Sequence, residues 1–390
     1  MLTHLNRRTM LAGSLVLGAS GLTLPRIAFA QGAGTRNLLF VLLRGAADGM
    51  AMLAPVGDPG LEALRGPLLA DYDGAERIGS FFAVHPALAE IGKAVAAGEA
   101  LFVHAAATAY RERSHFDAQN LLESGGAVPY GARDGWLNRL AGLINESAGG
   151  DPVRALAIAP SVPLALRGDA PVSNYAPSAL PEASEDLIAR VSQLYGDDSE
   201  LGGLWARALE TRAMAGDDGL NNLRDAHAAG DLAASLMQGP QGARIGMIEL
   251  GGWDTHANQR GGFARSARQL DALLAAYRTT MGTSWNDTMV LVATEFGRTA
   301  RLNGTGGTDH GTAGAALIMG GNVRGGRVIA DWPGLGANQL FQNRDLAPTT
   351  ALESVLAGAV AEHLRLDPAL TMARLFPGRS AAPLTGITRA

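Results

Sequence analysis

Asp254 and His256 stand two residues apart in "GGWDTHANQ" (251–259), directly after the apolar run "RIGMIEL" (244–250). Carboxylate oxygen and imidazole nitrogen are ligands for a divalent cation, and a chain without cysteine has no thiolate to offer instead. The same juxtaposition of an apolar run and chemistry-bearing residues recurs along the sequence. Arg44 and Asp48 lie in "RGAADGM" after "NLLFVLL" (37–43), and Arg113, Ser114, His115 and Asp117 lie in "TAYRERSHFDAQ" after "ALFVHAAA" (100–107). Glu295 and Arg298 follow "TMVLVAT" (288–294) in "EFGRT", and Asp309 and His310 come shortly after in "NGTGGTDHGT". Three of the seven histidines beyond residue 30 fall in these segments.

Such residues suit a site for Zn, Mn, Mg or Ca, holding one or two ions. Two ions about 4 Å apart would clamp the attacking and leaving oxygens of a displacement at phosphorus or sulfur. The metal candidates are Asp48, Asp254, His256, Glu295, Asp309 and His310. Ser114 opens a helix-like stretch, where orphan amides and the helix dipole favour an anion, so it is the candidate nucleophile. His115 and Arg298 complete the catalytic candidates. Arg44 and Arg113 are expected to grip anionic substrate oxygens as bidentate forks. Each residue also has a plainer reading. Asp48 before Gly49 is ordinary turn chemistry, Ser114 is a helix cap, and Glu295 with Arg298 makes a strand-end ion pair. His85 before Pro86 and His104 within an apolar run read as structural.

The elements that must present these residues are short apolar runs, each bounded by turn residues, which is the pattern of strands buried on both faces. "RALAIAP" (154–160) and "AALIMGG" (315–321) extend the set. Helix-like stretches alternate with them at 85–98, 114–125, 186–196, 261–281 and 349–364. This alternation predicts an α/β fold, a three-layer α/β/α sandwich around a large, mainly parallel sheet. Ligands of such sheets bind beyond the carboxyl ends of the strands, where the polar residues above are placed. The Pro- and Ser-rich "GDAPVSNYAPSALPEAS" (168–184) reads as a long surface loop or lid.

With 47% hydrophobic and 18% charged residues the chain has ample core material, and 390 residues suit one large domain over 31–390. A net charge of −5 without a basic run argues against nucleic acid as a partner and leaves an anionic small molecule or glycan, or another protein. Residues 1–30 read as a leader: paired Arg7 and Arg8, the apolar "LAGSLVLGASGLTL", and "AFA" ending at Ala30. The arginine pair followed by Thr9, Met10 and Leu11 resembles a twin-arginine export signal, which implies contact with the twin-arginine translocation machinery and a periplasmic or otherwise exported product. No second apolar run reaches the roughly twenty residues of a membrane span.

The ordered set "NLLFVLLRGAADGMAMLAPVGDP", "SHFDAQ", "GGWDTHANQ", "TEFGRT", "GTDHG" and "FPG" (376–378) resembles the bacterial exported family known as domain of unknown function 1501. That family is similar to the alkaline phosphatase superfamily with its sulfatases, which implies an alkaline phosphatase-like fold and a metal-dependent site. The resemblance implies that Asp48 is a first-strand metal ligand, Ser114 the nucleophile, Asp254 and His256 a ligand pair, and His310 a further ligand. Glu295 falls where the superfamily carries an Asp-His pair, with Phe296 in place of the histidine. A second alignment puts "TDHG" on that pair, making Asp309 the ligand and leaving Glu295 with Arg298. The expectation is a metal-dependent hydrolase or transferase of a phosphate or sulfate ester. The rival is a non-catalytic periplasmic binding or assembly protein that keeps the cleft.

Overall fold

Every residue of Asn37–Leu43 (β1) is buried, and its alternate side chains feed two different cores. Leu39, Val41 and Leu43 join one apolar cluster, whereas Leu38, Phe40 and Leu42 join another. Successive residues of a strand point to opposite faces, so a strand covered on both sides must be apolar throughout. That is why "NLLFVLL" lacks the alternation of a half-exposed strand.

The computed structural model describes residues 36–148, 152–176, 185–196, 201–215 and 225–389. The leader predicted at 1–30 lies outside them. The remaining strands are β2 (Leu53–Ala54), β3 (Arg77–Ile78), β4 (Phe82–Val84), β5 (Ala100–Ala107), β6 (Ala155–Ile158), β7 (Val172–Tyr175), β8 (Ile245–Leu250), β9 (Thr288–Thr294), β10 (Gly314–Gly320), β11 (Arg327–Ile329) and β12 (Thr350–Ala351). Nine of the twelve form one sheet in the order β11-β5-β10-β9-β1-β8-β6-β7, with β12 also on β5. β2, β3 and β4 make a small antiparallel sheet beside it.

The first core lies on the face covered by helices Ala89–Ala96, Ala226–Met237 and Gln259–Met281, and the second on the face covered by Trp136–Ala148, Leu352–Leu364 and Pro368–Leu375. The expected three-layer α/β/α arrangement is therefore present. Each fully buried Leu, Ile or Phe contributes about 1.5–3 kcal/mol by leaving water.

The large sheet is parallel except at β10, which runs antiparallel to both β5 and β9. This exception matters for the site. Because β10 reverses direction, the loop from Glu295 to Ala313 leaves the carboxyl end of β9 and enters β10 at the same sheet edge. β1 and β8 end there too, being parallel to β9 through β1. One long loop can thus contribute residues from both its ends.

The stretch 168–184 is not wholly a loop or lid as expected: Val172–Tyr175 is β7, the edge strand, paired parallel with β6. Residues 177–184 lie outside the described residues. Among the described residues no helix is long and apolar enough to cross a membrane.

Candidate metal centre

Three histidines meet at the carboxyl edge of the sheet. His115 is the first residue of helix His115–Ser124, His256 lies in the loop after β8, and His310 lies in the loop between β9 and β10. His310 Nε2 is 3.0 Å from His115 Nε2, 3.0 Å from His256 Nε2 and 3.2 Å from Asp254 Oδ1. Asp254 Oδ1 is also 3.0 Å from His256 Nε2, and its Oδ2 is 3.5 Å from His115 Nε2. Ligand atoms of His115, Asp254 and His310 all fall within 4.8 Å of one another.

What lies behind each ring fixes its tautomer. His310 Nδ1 faces the backbone carbonyl of Arg113 at 3.0 Å, an oxygen that can only accept. His115 Nδ1 faces Glu295 Oε1 at 2.8 Å, and His256 Nδ1 faces Asp309 Oδ1 at 3.1 Å. All three Nδ1 atoms therefore donate, and in the neutral ring each Nε2 carries a lone pair. The Nε2 lone pair of His310 faces those of His115 and His256 and the Asp254 carboxylate, which is repulsive without a cation or proton among them. A proton on one Nε2 relieves one contact; a divalent ion relieves all of them. Rings held from behind by carboxylate or carbonyl oxygen are the usual arrangement of metal-binding histidines.

The electrostatics follow this geometry. The Glu295 hydrogen bond raises the pKa of His115, outweighing burial. Burial lowers that of His310, and the neighbouring His115 lowers it further. Burial would raise Glu295, but the bonds from His115, Gln119 Nε2 and the Gly45 amide hold it below the usual range. Burial likewise opposes ionisation of Asp254, and Arg298 overcomes it through a 2.6 Å contact, so the carboxylate stays charged.

Two glycines permit the loops to close this tightly. Gly45 has φ +115°, and a side chain there would meet the Asp254 amide at 2.7 Å. A Cβ on Gly307 would lie 2.1 Å from the His256 carbonyl carbon. Short antiparallel bridges, Ala257 to Gly306 and Arg298 to His310, pin the loops together.

Of the expected metal ligands, the structure brings Asp254, His256 and His310 together and adds His115, which was expected as a catalytic group. Glu295 and Asp309, also expected as ligands, stand behind the rings against His115 Nδ1 and His256 Nδ1. Glu295 is 1% exposed with both oxygens engaged, Oε2 by the Thr294 hydroxyl at 3.0 Å. Asp309 Oδ1 is shared between His256 and Asn303 Nδ2, whose bond is the first cause of a lowered Asp309 pKa.

Asp48 is corrected more fully. It is buried, caps helix Gly49–Met52 through the Ala51 amide, and accepts from Arg65 Nη1 at 2.7 Å and Gln259 Nε2 at 2.6 Å. An arginine, rather than an ion, neutralises it. Arg65 in turn donates to the carbonyls of Ala300 and Thr299, fastening the helix Leu61–Leu69 to the β9–β10 loop.

The arginines are likewise committed within the fold. Arg44 contacts Glu123 at 2.7 Å and Glu249 at 2.6 Å, and Arg113 contacts Asp345 at 2.7 Å, so neither is the free substrate fork expected. Arg298, expected as catalytic, is 2% exposed and holds Asp254 while bonding Thr308 through both its hydroxyl and its carbonyl. Nor does it pair with Glu295. Ser114 stands at the N-cap of its helix without a side-chain capping bond. Phe296 packs its ring on His115 and His310 at 4.9 and 5.3 Å, walling one side of the centre.

Sequence reading missed Arg65, Gln119, Gln259, Asn303, Thr308 and Asp345. Gln259 had a signal, since it closes the "GGWDTHANQ" motif: its Nε2 binds Asp48 and its Oε1 accepts from Thr255 and Thr308. Nothing in "LEALRGPLL" marks Arg65 as buried.

This chain belongs to the family described as Protein of unknown function (DUF1501), whose model matches residues 103–374. No curated protein matches it. Among solved structures it is similar to alkaline phosphatase from the Antarctic bacterium TAB5, at 11% identity and a TM-score of 0.34 over 75% of this chain and 94% of that one. A mutant of that enzyme with Mg bound in the M3 site matches at 10% identity and 0.37, over 85% and 98%. The lipoteichoic acid synthase LtaP from Listeria monocytogenes matches at 12% identity and 0.31, over 69% of this chain and 58% of that one.

Proposed function

We propose that this protein is an exported metal-dependent hydrolase or transferase acting on a phosphate or sulfate ester. The observation that carries the reading is the convergence of His115, His310 and Asp254, with His256 Nε2 3.0 Å from both His310 and Asp254 and each ring held from behind by an oxygen acceptor. Three nitrogens and one carboxylate suit zinc or manganese better than the all-oxygen preference of magnesium or calcium. His115, Asp254, His256 and His310 would hold one ion, and that ion would supply Lewis acidity toward the ester oxygens and the nucleophile.

The chain's own groups do the rest. Ser114 offers the nucleophilic hydroxyl, free of capping duty at the start of a ten-residue helix whose orphan amides favour an anion. Phe296 excludes water from the wall beside His115 and His310. Arg344 is the replacement for the committed arginines. It donates to the His310 carbonyl at 2.8 Å and lies 3.7 Å from Asp345 Oδ1, a looser pairing than theirs, and its side chain remains 40% exposed to meet substrate oxygens. The paired arginines and apolar stretch within residues 1–30 support export by the twin-arginine route.

One observation favours the second reading, a non-catalytic binding or assembly protein: Arg44, Arg113 and Arg298 are all neutralised by carboxylates. Two measurements separate the readings. Elemental analysis of protein from its native export route is expected to find about one ion per chain, and metal-free protein of unchanged stability would remove the metal from both. A panel of aryl phosphate, phosphodiester and sulfate esters then reads turnover, which Ser114→Ala should lower by roughly a thousandfold or more. Metal binding without turnover of any ester supports the binding protein instead.

A further inference from the structure

A cleft of about 580 Å3 opens between helix Gln259–Met281, Asp71 and the segment from His85 to Ala89. Its polar lining consists of Asp71, His85, Arg260, Arg268 and Asp271, and the rest is a proline and three alanines. Most of this polarity is already used. Arg260 is paired with Asp71 at 2.9 Å, and Asp271 accepts the amides of Glu90 and Ile91, capping their helix.

Two groups are left over. Arg268 is exposed, and no described residue bonds its guanidinium. His85 is only 8% exposed, wedged between the rings of Tyr72 at 5.5 Å and Phe263 at 4.9 Å. Its Nδ1 accepts the Ala87 amide at 3.0 Å, so the proton of the neutral ring is on Nε2, and that N–H has no partner among the described residues. Burial pushes the pKa of His85 down to about 4 against the upward pull of Asp71 and Asp48, with a smaller downward contribution from Arg268, so the ring stays a neutral donor at pH 7.

We infer that this cleft is a second ligand site, distinct from the metal centre, which binds a small oxyanion carried on a short apolar stem. The oxyanion, a carboxylate or a phosphate monoester, accepts from the His85 Nε2–H and the Arg268 guanidinium together. The stem lies along the alanine and proline wall. Both groups left free in the lining are donors, which call for an acceptor; Asp71 is paired with Arg260, and Asp271 is held by the amides of Glu90 and Ile91. The inference does not depend on what the metal centre catalyses.

The test follows the His85 ring resonances of the isotope-labelled full chain during titration with propionate and, separately, ethyl phosphate. Saturable shifts in the millimolar range are expected with at least one of the two, and the tighter binder identifies the oxyanion. Arg268→Gln, an exposed substitution, is expected to weaken that binding about tenfold or more, as loss of a charge-assisted bond would. His310→Ala should leave it unchanged. The proposal is overturned if neither probe shifts His85, if Arg268→Gln binds as tightly as the parent, or if His310→Ala abolishes the shift.

Discussion

His310 Nδ1 donates to the backbone carbonyl of Arg113 across 3.0 Å, and Arg113 can present that carbonyl only because its own backbone is left-handed, with φ +58°. For a residue other than glycine this conformation costs about 1–2 kcal/mol. The Arg113 guanidinium, anchored to the buried Asp345, holds the turn in place against that cost. An arginine expected to bind substrate thus aims the His310 ring through its main chain.

Removing the anchor should therefore be felt at the metal centre. Arg113→Ala is expected to lower metal affinity roughly ten- to a hundredfold, the usual effect of losing a group that orients a ligand. Competition with a chromogenic chelator reads the change; unaltered affinity would mean that the carbonyl does not depend on the side chain.

Metal should stabilise the fold in proportion to its occupancy. At a hundredfold excess over Kd, about 2.7 kcal/mol is expected, visible as a rise in Tm that a chelator reverses. His310→Ala should abolish the rise, because its Nε2 is 3.0 Å from both other imidazoles, whereas His256→Ala should only reduce it. Differential scanning calorimetry with zinc or manganese distinguishes the two variants.

The pair Asp48–Arg65 is predicted to be structural. Both side chains are buried, 2% and 3% exposed, so Arg65→Met strands a carboxylate and should cost about 3–5 kcal/mol. Combining it with Asp48→Leu should recover much of that loss in urea unfolding. Asp48→Asn should retain the full metal content, and loss of the ion in that variant would return Asp48 to the ligand set.

Acid stability should reflect three histidines outside the candidate metal centre. Burial lowers the pKa of His85, His104 and His363 to about 4 in each case. Below the unfolded value of about 6.5 the unfolded chain binds more protons than the native one, so stability falls with falling pH and the loss is complete near pH 4. Each site contributes on the order of 3 kcal/mol across that window. His363 Nε2 donates to the Asn37 carbonyl at 2.9 Å, a bond that His363→Gln can keep without titrating. That variant should show about one third less of this histidine-linked pH dependence between pH 6.5 and 4, measured by urea unfolding.

Much of the architecture was legible in the sequence for a simple reason. A strand buried on both faces must be apolar over most of its length, and β1, β5, β8, β9 and β10 each announce themselves that way, with Asn37, His104 and Glu249 among the exceptions. The edge strand β7, "VSNY", is only partly buried and half polar, so it passed as loop. The direction of β10 carried no signal, because strand polarity leaves no mark on an apolar run.

That these loops bring Asp, Glu and His to one sheet edge was legible too, but which side chain faces which was not. Asp254, His256, His310 and His115 face the centre, while Glu295 and Asp309 stand behind the rings. A carboxylate that touches an ion and one that touches a ligand look alike in a sequence, since both must be Asp or Glu near a strand end. Asp48 was misread for a related reason: its partner is Arg65, seventeen positions away on a helix with no polar pattern to expose it.

By itself, then, the sequence determined which strand ends carry the chemistry, because burial on two faces and the change to polar residues at a sheet edge are local properties. The tertiary structure alone decided which groups face one another at the candidate metal centre, which stand behind them, and which arginines are spent on carboxylates. Those assignments depend on contacts a few ångströms long between residues up to two hundred and fifty positions apart, as between Gly45 and Glu295. They are fixed by how the loops close over one another at the carboxyl edge.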